Sequence, residues 1–276
     1  METAKAVRRE IATFLIITFL LSAIPYALII SSGTLQAAGA LVILGLMWCP
    51  GIAAVITHLV YHRSLRGLGW SWGKTRYQAL SFVTPIAYSL VAYACVWLLG
   101  LGRIRQDIAP VQPLKVAVIV VLGTLVHCIY GLGEEIGWRG LLVPRLVELG
   151  GFTRASLISG AIWALWHCPL ILFANYHGSN VPVWYSLACF TLMVMGINFA
   201  FNWLRLKSGS VWTAMFMHAN HNNSIQSYLD PITADTGVTK FIVGESGVAL
   251  AIAGMLTGFV FWRMRSRLPD LQPVRG

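Results

Sequence analysis

The sequence predicts an all-α polytopic membrane protein with about eight transmembrane helices, on three observations. Hydrophobic residues make up 57% of the 276 residues and charged residues only 11%, with a mean hydropathy of +0.70. A soluble domain carries about 25% charged residues and could not cover this much apolar surface. The apolar residues come in continuous runs of about 20, the length that crosses a bilayer core of about 30 Å as a helix. Barrel strands would show about ten alternating residues instead. Finally, Lys and Arg concentrate in alternate segments between the runs.

The elements follow in order. Lys5, Arg8 and Arg9 precede an apolar run over 11–30. Ala38-Gly39-Ala40 mimics a signal-peptidase site, but the apolar core is longer than a typical signal and more runs follow, so it reads as a retained first helix. Further spans are predicted over 37–61, 77–101, 114–136, 153–173, 183–204, 210–229 and 247–262. Between the fourth and fifth, residues 140–151 set Leu141, Leu142, Leu146 and Leu149 beside Arg145 and Glu148, the pattern of a short interfacial helix. Gly150-Gly151 ends it, and Thr153 is placed to cap the next helix. No long linker or internal repeat appears, so residues 1–276 read as a single transmembrane domain.

With both termini cytoplasmic, sixteen Lys and Arg residues fall on the cytoplasmic side and four, Arg103, Arg105, Lys115 and Lys240, on the other. The positive-inside rule therefore predicts cytoplasmic termini, in a plasma (inner) membrane. These charges set orientation. They do not form the clustered basic face that nucleic-acid binding needs, so the net charge of +10 implies no nucleic-acid partner. The five cysteines lie in or beside apolar runs without C-x-x-C spacing and read as packing residues.

An ionisable group at membrane depth is costly and marks a functional site by default. Glu134 and Glu135 continue directly out of the run that ends at Tyr130, and Arg139 follows four residues later. On a helix the two carboxylates diverge by about 100°, so one can face a cavity while the other is held by Arg139. Trp163 and His167 share a helical face at i, i+4, as do His218 and Asn222. Taken singly, such residues are ordinary interhelical hydrogen-bond partners; three polar clusters on three spans are harder to read that way. Together they suit hydrolysis. A carboxylate activates water, a histidine shares that water or polarises a carbonyl, and a second histidine and an amide donate to an oxyanion. Alternatively, Glu134, His167 and His218 hold a divalent metal such as zinc with one open position. Neither H-E-x-x-H nor G-x-S-x-G is present. His58, His62, His127 and His177 read as structural or solvated, and His221, off the His218–Asn222 face, as a second-rank candidate.

Glu134-Glu135-x-x-x-Arg139, Trp163-x-x-x-His167 and His218-x-x-x-Asn222 resemble, in order, the E-E-x-x-x-R, F-x-x-x-H and H-x-x-x-N motifs of the CAAX protease and bacteriocin-processing (Abi) family of intramembrane proteases. The motif region covers about 116–229. The resemblance implies a type II CAAX prenyl endopeptidase-like fold of about eight helices and a peptide-hydrolase activity. It implies that Glu134 and His167 activate water, that His218 and Asn222 serve the oxyanion or orient water, and that Glu135 and Arg139 support them. Trp163 departs from the usual Phe but keeps an aromatic wall. The family is labelled metalloprotease, while a metal-free glutamate mechanism is also argued for it, so the cofactor is either none or a divalent metal. Its members act on prenylated CAAX proteins or in bacteriocin maturation and immunity, which implies a membrane-associated protein or peptide substrate at the lipid bilayer. The competing reading is a non-enzymatic transporter or immunity partner binding through the same polar cluster, but the inverted repeats that would favour a transporter are not seen. Glu134 is expected near the cytoplasmic end of its span, with the site in a water-filled cavity opening to the cytoplasmic half.

Overall fold

The computed structural model describes residues 3–107, 113–176 and 181–269. His177 and Arg275, counted above as a loop histidine and a terminal cation, lie outside these. The order is α1 (Ala4–Ser32), α2 (Leu35–Ala38), α3 (Ala40–His62), α4 (Thr75–Leu98), β1 (Arg103–Ile104) and α5 (Pro113–Glu135). A π-helical segment, Ile136–Leu142, leads into α6 (Val143–Phe173) and α7 (Val183–Ser208). Then come α8 (Val211–Asn222), a second π segment Asn223–Leu229, α9 (Asp230–Ile232), β2 (Thr233–Ala234), α10 (Thr239–Ile242), α11 (Val248–Arg263) and a 3-10 turn, Met264–Arg267. The all-α class is borne out. Among the described residues the only strands are β1 and β2, two residues each, paired antiparallel with Arg103 opposite Ala234.

Local chemistry sets the helix ends. The Thr3 side chain caps α1 by accepting from the Ala6 N–H at 3.3 Å, and Thr34 caps α2 by accepting from Ala37 at 3.1 Å. Such caps satisfy N–H groups that have no partner within the helix. Gly209, at φ 72°, closes α7 with its N–H on the Arg205 carbonyl. Ile16, Leu20 and Ile24 form an exposed stripe on α1, and Leu125 and Ile129 on α5, Ile252, Leu256 and Phe259 on α11 are exposed as well. Apolar faces this extensive are suited to lipid rather than water.

Among the described residues six helical stretches are long and apolar enough to cross a membrane, against about eight spans predicted. The difference has two sources. Val120–Phe173 counts as one stretch of 54 residues, because helical hydrogen bonding runs on through the π segment. Yet Gly151, at φ 71° and ψ 179°, breaks α6, and the chain passes through the bundle twice here. Arg145 pairs with Glu10 near the start of α1, whereas Trp166 donates to Ser22 three turns further along it. Residues 143–150 thus form the short helix expected before the break, and Thr153 lies inside the resumed helix rather than at a cap. The second source is α8, which is short and polar. It packs against α4, α5 and α7, so it has little need of apolar residues on every side.

The loops gather into two faces. On the terminus face, Val211 donates to the Gly69 carbonyl, Trp212 to Trp70, and Lys207 to Arg267. On the opposite face, Trp97 donates to Thr233, Tyr185 to Phe241 and Tyr176 to Glu245. α7 and α11 pack closest, backbone against backbone. A Cβ on Gly258 would lie 2.3 Å from the Gly196 carbonyl oxygen, and one on Gly196 would lie 2.3 Å from the Gly254 carbonyl carbon. Gly254 and Gly258 have the small-x-x-x-small spacing that allows such contact between membrane helices. Gly258→Leu is therefore expected to lower stability in detergent by about 1–3 kcal/mol or more, the cost of overpacking. Gly45→Ala, where a Cβ meets nothing within 4 Å, should leave the melting midpoint nearly unchanged. Comparing the two thermal melts checks the interface.

Candidate active site

The glycines around the paired glutamates let two helices close on them. A Cβ on Gly51 of α3 would come 2.5 Å from the Gly133 carbonyl oxygen, and one on Gly131 would meet the His218 side chain of α8 at 3.1 Å. The helix then widens into the π segment immediately after Glu135, a distortion frequent at functional sites. Each glutamate takes a partner four residues on, one turn below. Glu134 Oε2 accepts from Trp138 Nε1 at 3.2 Å, and Glu135 Oε1 accepts from Arg139 Nη1 at 2.9 Å.

From there the two carboxylates diverge as their helical angle requires. Glu135 and Arg139 are both fully buried and do not line the cavity. Glu135 Oε1 also accepts from His218 Nδ1 at 2.9 Å, and Arg139 Nη2 donates to Asn198 Oδ1 of α7 at 2.7 Å. The guanidinium lies over the Trp163 ring at 4.1 Å and the Phe201 ring at 4.3 Å. Asn198 is itself held, its amide donating to the Ser156 carbonyl at 2.6 Å and to Ser159 Oγ at 2.9 Å. Glu134 instead lies on the wall of a cavity of about 740 Å³, within the range of small-ligand sites. His167, His218, Asn222 and Trp163 line the same cavity.

Trp163 joins these parts. Its indole N–H donates to Glu134 Oε2 at 2.9 Å. Its ring meets those of His218 and His167 edge-on, with centroids 5.8 and 6.1 Å apart. It was expected to supply only an aromatic wall; a Phe there would keep the wall and lose the donor. Both histidines have fixed tautomers when neutral. His167 Nδ1 donates to the Trp163 carbonyl at 2.9 Å, and His218 Nδ1 to Glu135, so in each ring Nε2 is left for the cavity. Among the described residues no three His, Cys, Asp or Glu side chains assemble as metal ligands. The set Glu134, His167 and His218 shares a wall without forming a ready-made ion site.

Several groups were not singled out in the sequence. Trp138 had a signal, its i, i+4 spacing from Glu134. Asn198 and Asn202 had a weaker one, as polar residues one turn apart in an apolar run. Glu245 and Asp230 had none, because acidic residues between spans are ordinary. Yet both line the cavity. Glu245 accepts from Tyr176 and from Gln226 Nε2, the latter at 2.8 Å, and faces His221 Nε2 at 3.7 Å. Asp230 accepts from Tyr93, and burial, with the nearby Glu245 charge, raises its carboxyl to about 6 against the opposing Tyr93 hydrogen bond. His221, ranked second above, is on the cavity wall with Tyr88 as its Nδ1 partner. The other histidines make structural contacts: His58 with the Ser64 carbonyl, His62 with Glu10, His127 with Ser227.

The cavity opens on the face opposite the termini, so the cytoplasmic termini and the cytoplasmic-facing cavity that were expected together do not both hold. Its outer lining is Thr34, Gln36, Asn175, Asp235 and Lys240, all from loops on the face opposite the termini. No described residue of the terminus-face loops lines it. That face is sealed: Arg205 Nε donates to the Arg139 carbonyl at 2.8 Å, and Gln78 Nε2 to Ser210 Oγ at 3.1 Å. Which ends of the helices splay apart was not legible from the sequence.

Comparison with known proteins agrees with the motifs. Residues 114–224 match the family described as type II CAAX prenyl endopeptidase Rce1-like. The chain is also similar to a protein named CAAX prenyl protease 2 from Methanococcus maripaludis, at 32% identity over 127 residues. That similarity covers 45% of this chain and 44% of the relative, so the chain matches less than half the length of that curated protein. The resemblance read from the three motifs is borne out.

The buried pair makes a stability prediction. Arg139→Met strands a carboxylate in an apolar site and should cost about 3–5 kcal/mol. Adding Glu135→Gln to Arg139→Met removes the stranded charge and should recover part of that loss. Thermal melts of the two single variants and the double variant measure the coupling; strictly additive losses would mean the two side chains are not energetically coupled.

Proposed function

We propose that this protein is an intramembrane endopeptidase that hydrolyses a peptide bond in a membrane-associated protein or peptide with a water activated by Glu134. The observation that carries this reading is a buried carboxylate on the wall of a cavity that two histidines of fixed tautomer and an amide also line. The match to a prenyl endopeptidase family over the motif region supports it.

The chemistry follows from the groups. Hydrolysis needs a general base within reach of the attacking water, and a carboxylate on the wall of a water-accessible cavity can serve. A water between Glu134 and His167 gives its proton to Glu134 while His167 Nε2 orients it. The hydroxide attacks the carbonyl carbon, and the oxyanion is met by the Asn222 amide and by His218 Nε2 when that ring is protonated. Glu134 then hands the proton to the leaving nitrogen as the C–N bond breaks, which yields a carboxylic acid and an amine; the acid then passes its proton to the amine or to solvent water. Glu135 and Arg139 touch no reacting atom in this scheme; they hold His218 and the floor beneath Trp163. We take the step to need no tightly bound metal. The substrate is a protein or peptide with an apolar anchor, of which a prenylated CAAX tail, implied by the relative's name, is one form and a bacteriocin-type peptide another.

The test is turnover by purified protein in lipid. Glu134→Gln is expected to lower kcat by about 10²–10⁴, the usual contribution of a general base, without loss of the folded protein. Near-normal turnover by that variant would remove Glu134 as the base. Metal analysis of the same active preparation should find no stoichiometric ion. Zinc at one per chain, whose removal and return switch activity off and on, would overturn the metal-free step.

A further inference from the structure

The open end of the cavity and the charge distribution, taken together, decide from which side of the membrane a substrate arrives. Among the described residues the terminus face carries fifteen Lys and Arg, and the opposite face carries Arg103, Arg105, Lys115 and Lys240. Two of the fifteen, Arg139 and Arg205, are buried and paired inside the bundle. Removing them leaves thirteen against four. The structure also confirms the grouping of the loops, since residues from α1, α3, α6, α7 and the segment after α11 bond to one another or to shared neighbours at the terminus end. An asymmetry of this size holds the basic face in the cytoplasm.

The cavity leads the other way. Its floor is Glu134 and Trp163, and Trp138 beneath them is packed against Phe14 and Trp166. Its rim is made of Thr34, Gln36, Asp235 and Lys240. A second groove of about 270 Å³ joins it sideways, lined by Ala40, Ile43, Met47, His127 and Tyr130 and sharing Asn222 with the main cavity. This groove runs between the start of α3 and α5, in the half of the bundle nearer the rim. It gives an apolar anchor a lateral route from the leaflet on that side.

We infer that the site opens to the extracytoplasmic face and takes a peptide segment presented there by a chain anchored in the outer leaflet. The inference rests on the proteolytic reading for what happens to that segment, but not for the direction of opening. Of the two substrate forms named above, it favours an exported, membrane-anchored peptide over a cytoplasmic prenylated tail.

The test is labelling of single cysteines in a variant whose five native cysteines are replaced. Lys240→Cys on the rim and Met47→Cys inside the cavity should react with a membrane-impermeant thiol reagent added to intact cells. Arg66→Cys on the terminus face should react only in inside-out vesicles. The reverse pattern would overturn the inference. If cysteine replacement prevents folding, a fluorescent-protein fusion to the C-terminus of the native sequence reads the same orientation; fluorescence supports the inference and its absence, with the fusion present in the membrane, contradicts it. Neither readout involves turnover, so failure here is separate from failure of the proteolytic reading, which the Glu134→Gln variant decides.

Discussion

The structure depends on one buried ion pair. Glu135 and Arg139 are both fully buried in the bundle, where removing a charge from water costs several kcal/mol even after relaxation. The pair is made tolerable by partners from four helices, although Glu135 Oε2 and Arg139 Nε accept and donate no hydrogen bond. The junction of α5 with the π segment supplies both partners, α8 supplies His218, α7 supplies Asn198, and α6 supplies the Trp163 face over the guanidinium. Any arrangement that separated these helices would strip the pair of the hydrogen bonds and the ring face that surround it in an apolar medium. The same contacts that lower the cost of the pair therefore fix the relative positions of all three motifs.

That constraint divides the work between two adjacent carboxylates. Neighbours on a helix cannot face the same way, so when Glu135 turns into the bundle Glu134 must turn toward the cavity. Glu134 keeps two indole N–H groups on one oxygen and open space beside it. His218 is pinned by Glu135 and His167 by its own helix backbone, so each presents the same ring nitrogen to the cavity. The preorganisation that the proposed hydrolysis requires is in this way a by-product of burying a salt bridge.

Much of this was legible in the sequence, for identifiable reasons. Apolar runs of bilayer length gave the long helices, and Glu135–Arg139 could be paired from i, i+4 spacing alone. The motif residues Glu134, His167, His218 and Asn222 do share a wall. The π segments were not legible, because no residue pattern separates them from α-helix. Nor was the role of Asn198, which depends on which face of α7 meets α6. α8 is shorter and more polar than the span expected over 210–229, because other helices enclose it. That the cavity opens opposite the termini was not legible, because depth along a helix says nothing about where neighbouring helices part. Glu245 and Asp230 were passed over as loop acids, and became visible only once the loops folded over the cavity mouth.

The central claim is that Glu135 maintains the structure while Glu134 performs the chemistry, and side-by-side thermal melts of Glu134→Gln and Glu135→Gln in the same detergent test it most directly. The account predicts that Glu134→Gln melts at or above the wild type, since it replaces a carboxylate on a cavity wall with an amide that still accepts from the two indoles. Glu135→Gln should melt well below it, since Arg139 is left charged and buried without its counter-ion. Equal melting of the two variants, or a greater loss for Glu134→Gln, would contradict the division of roles.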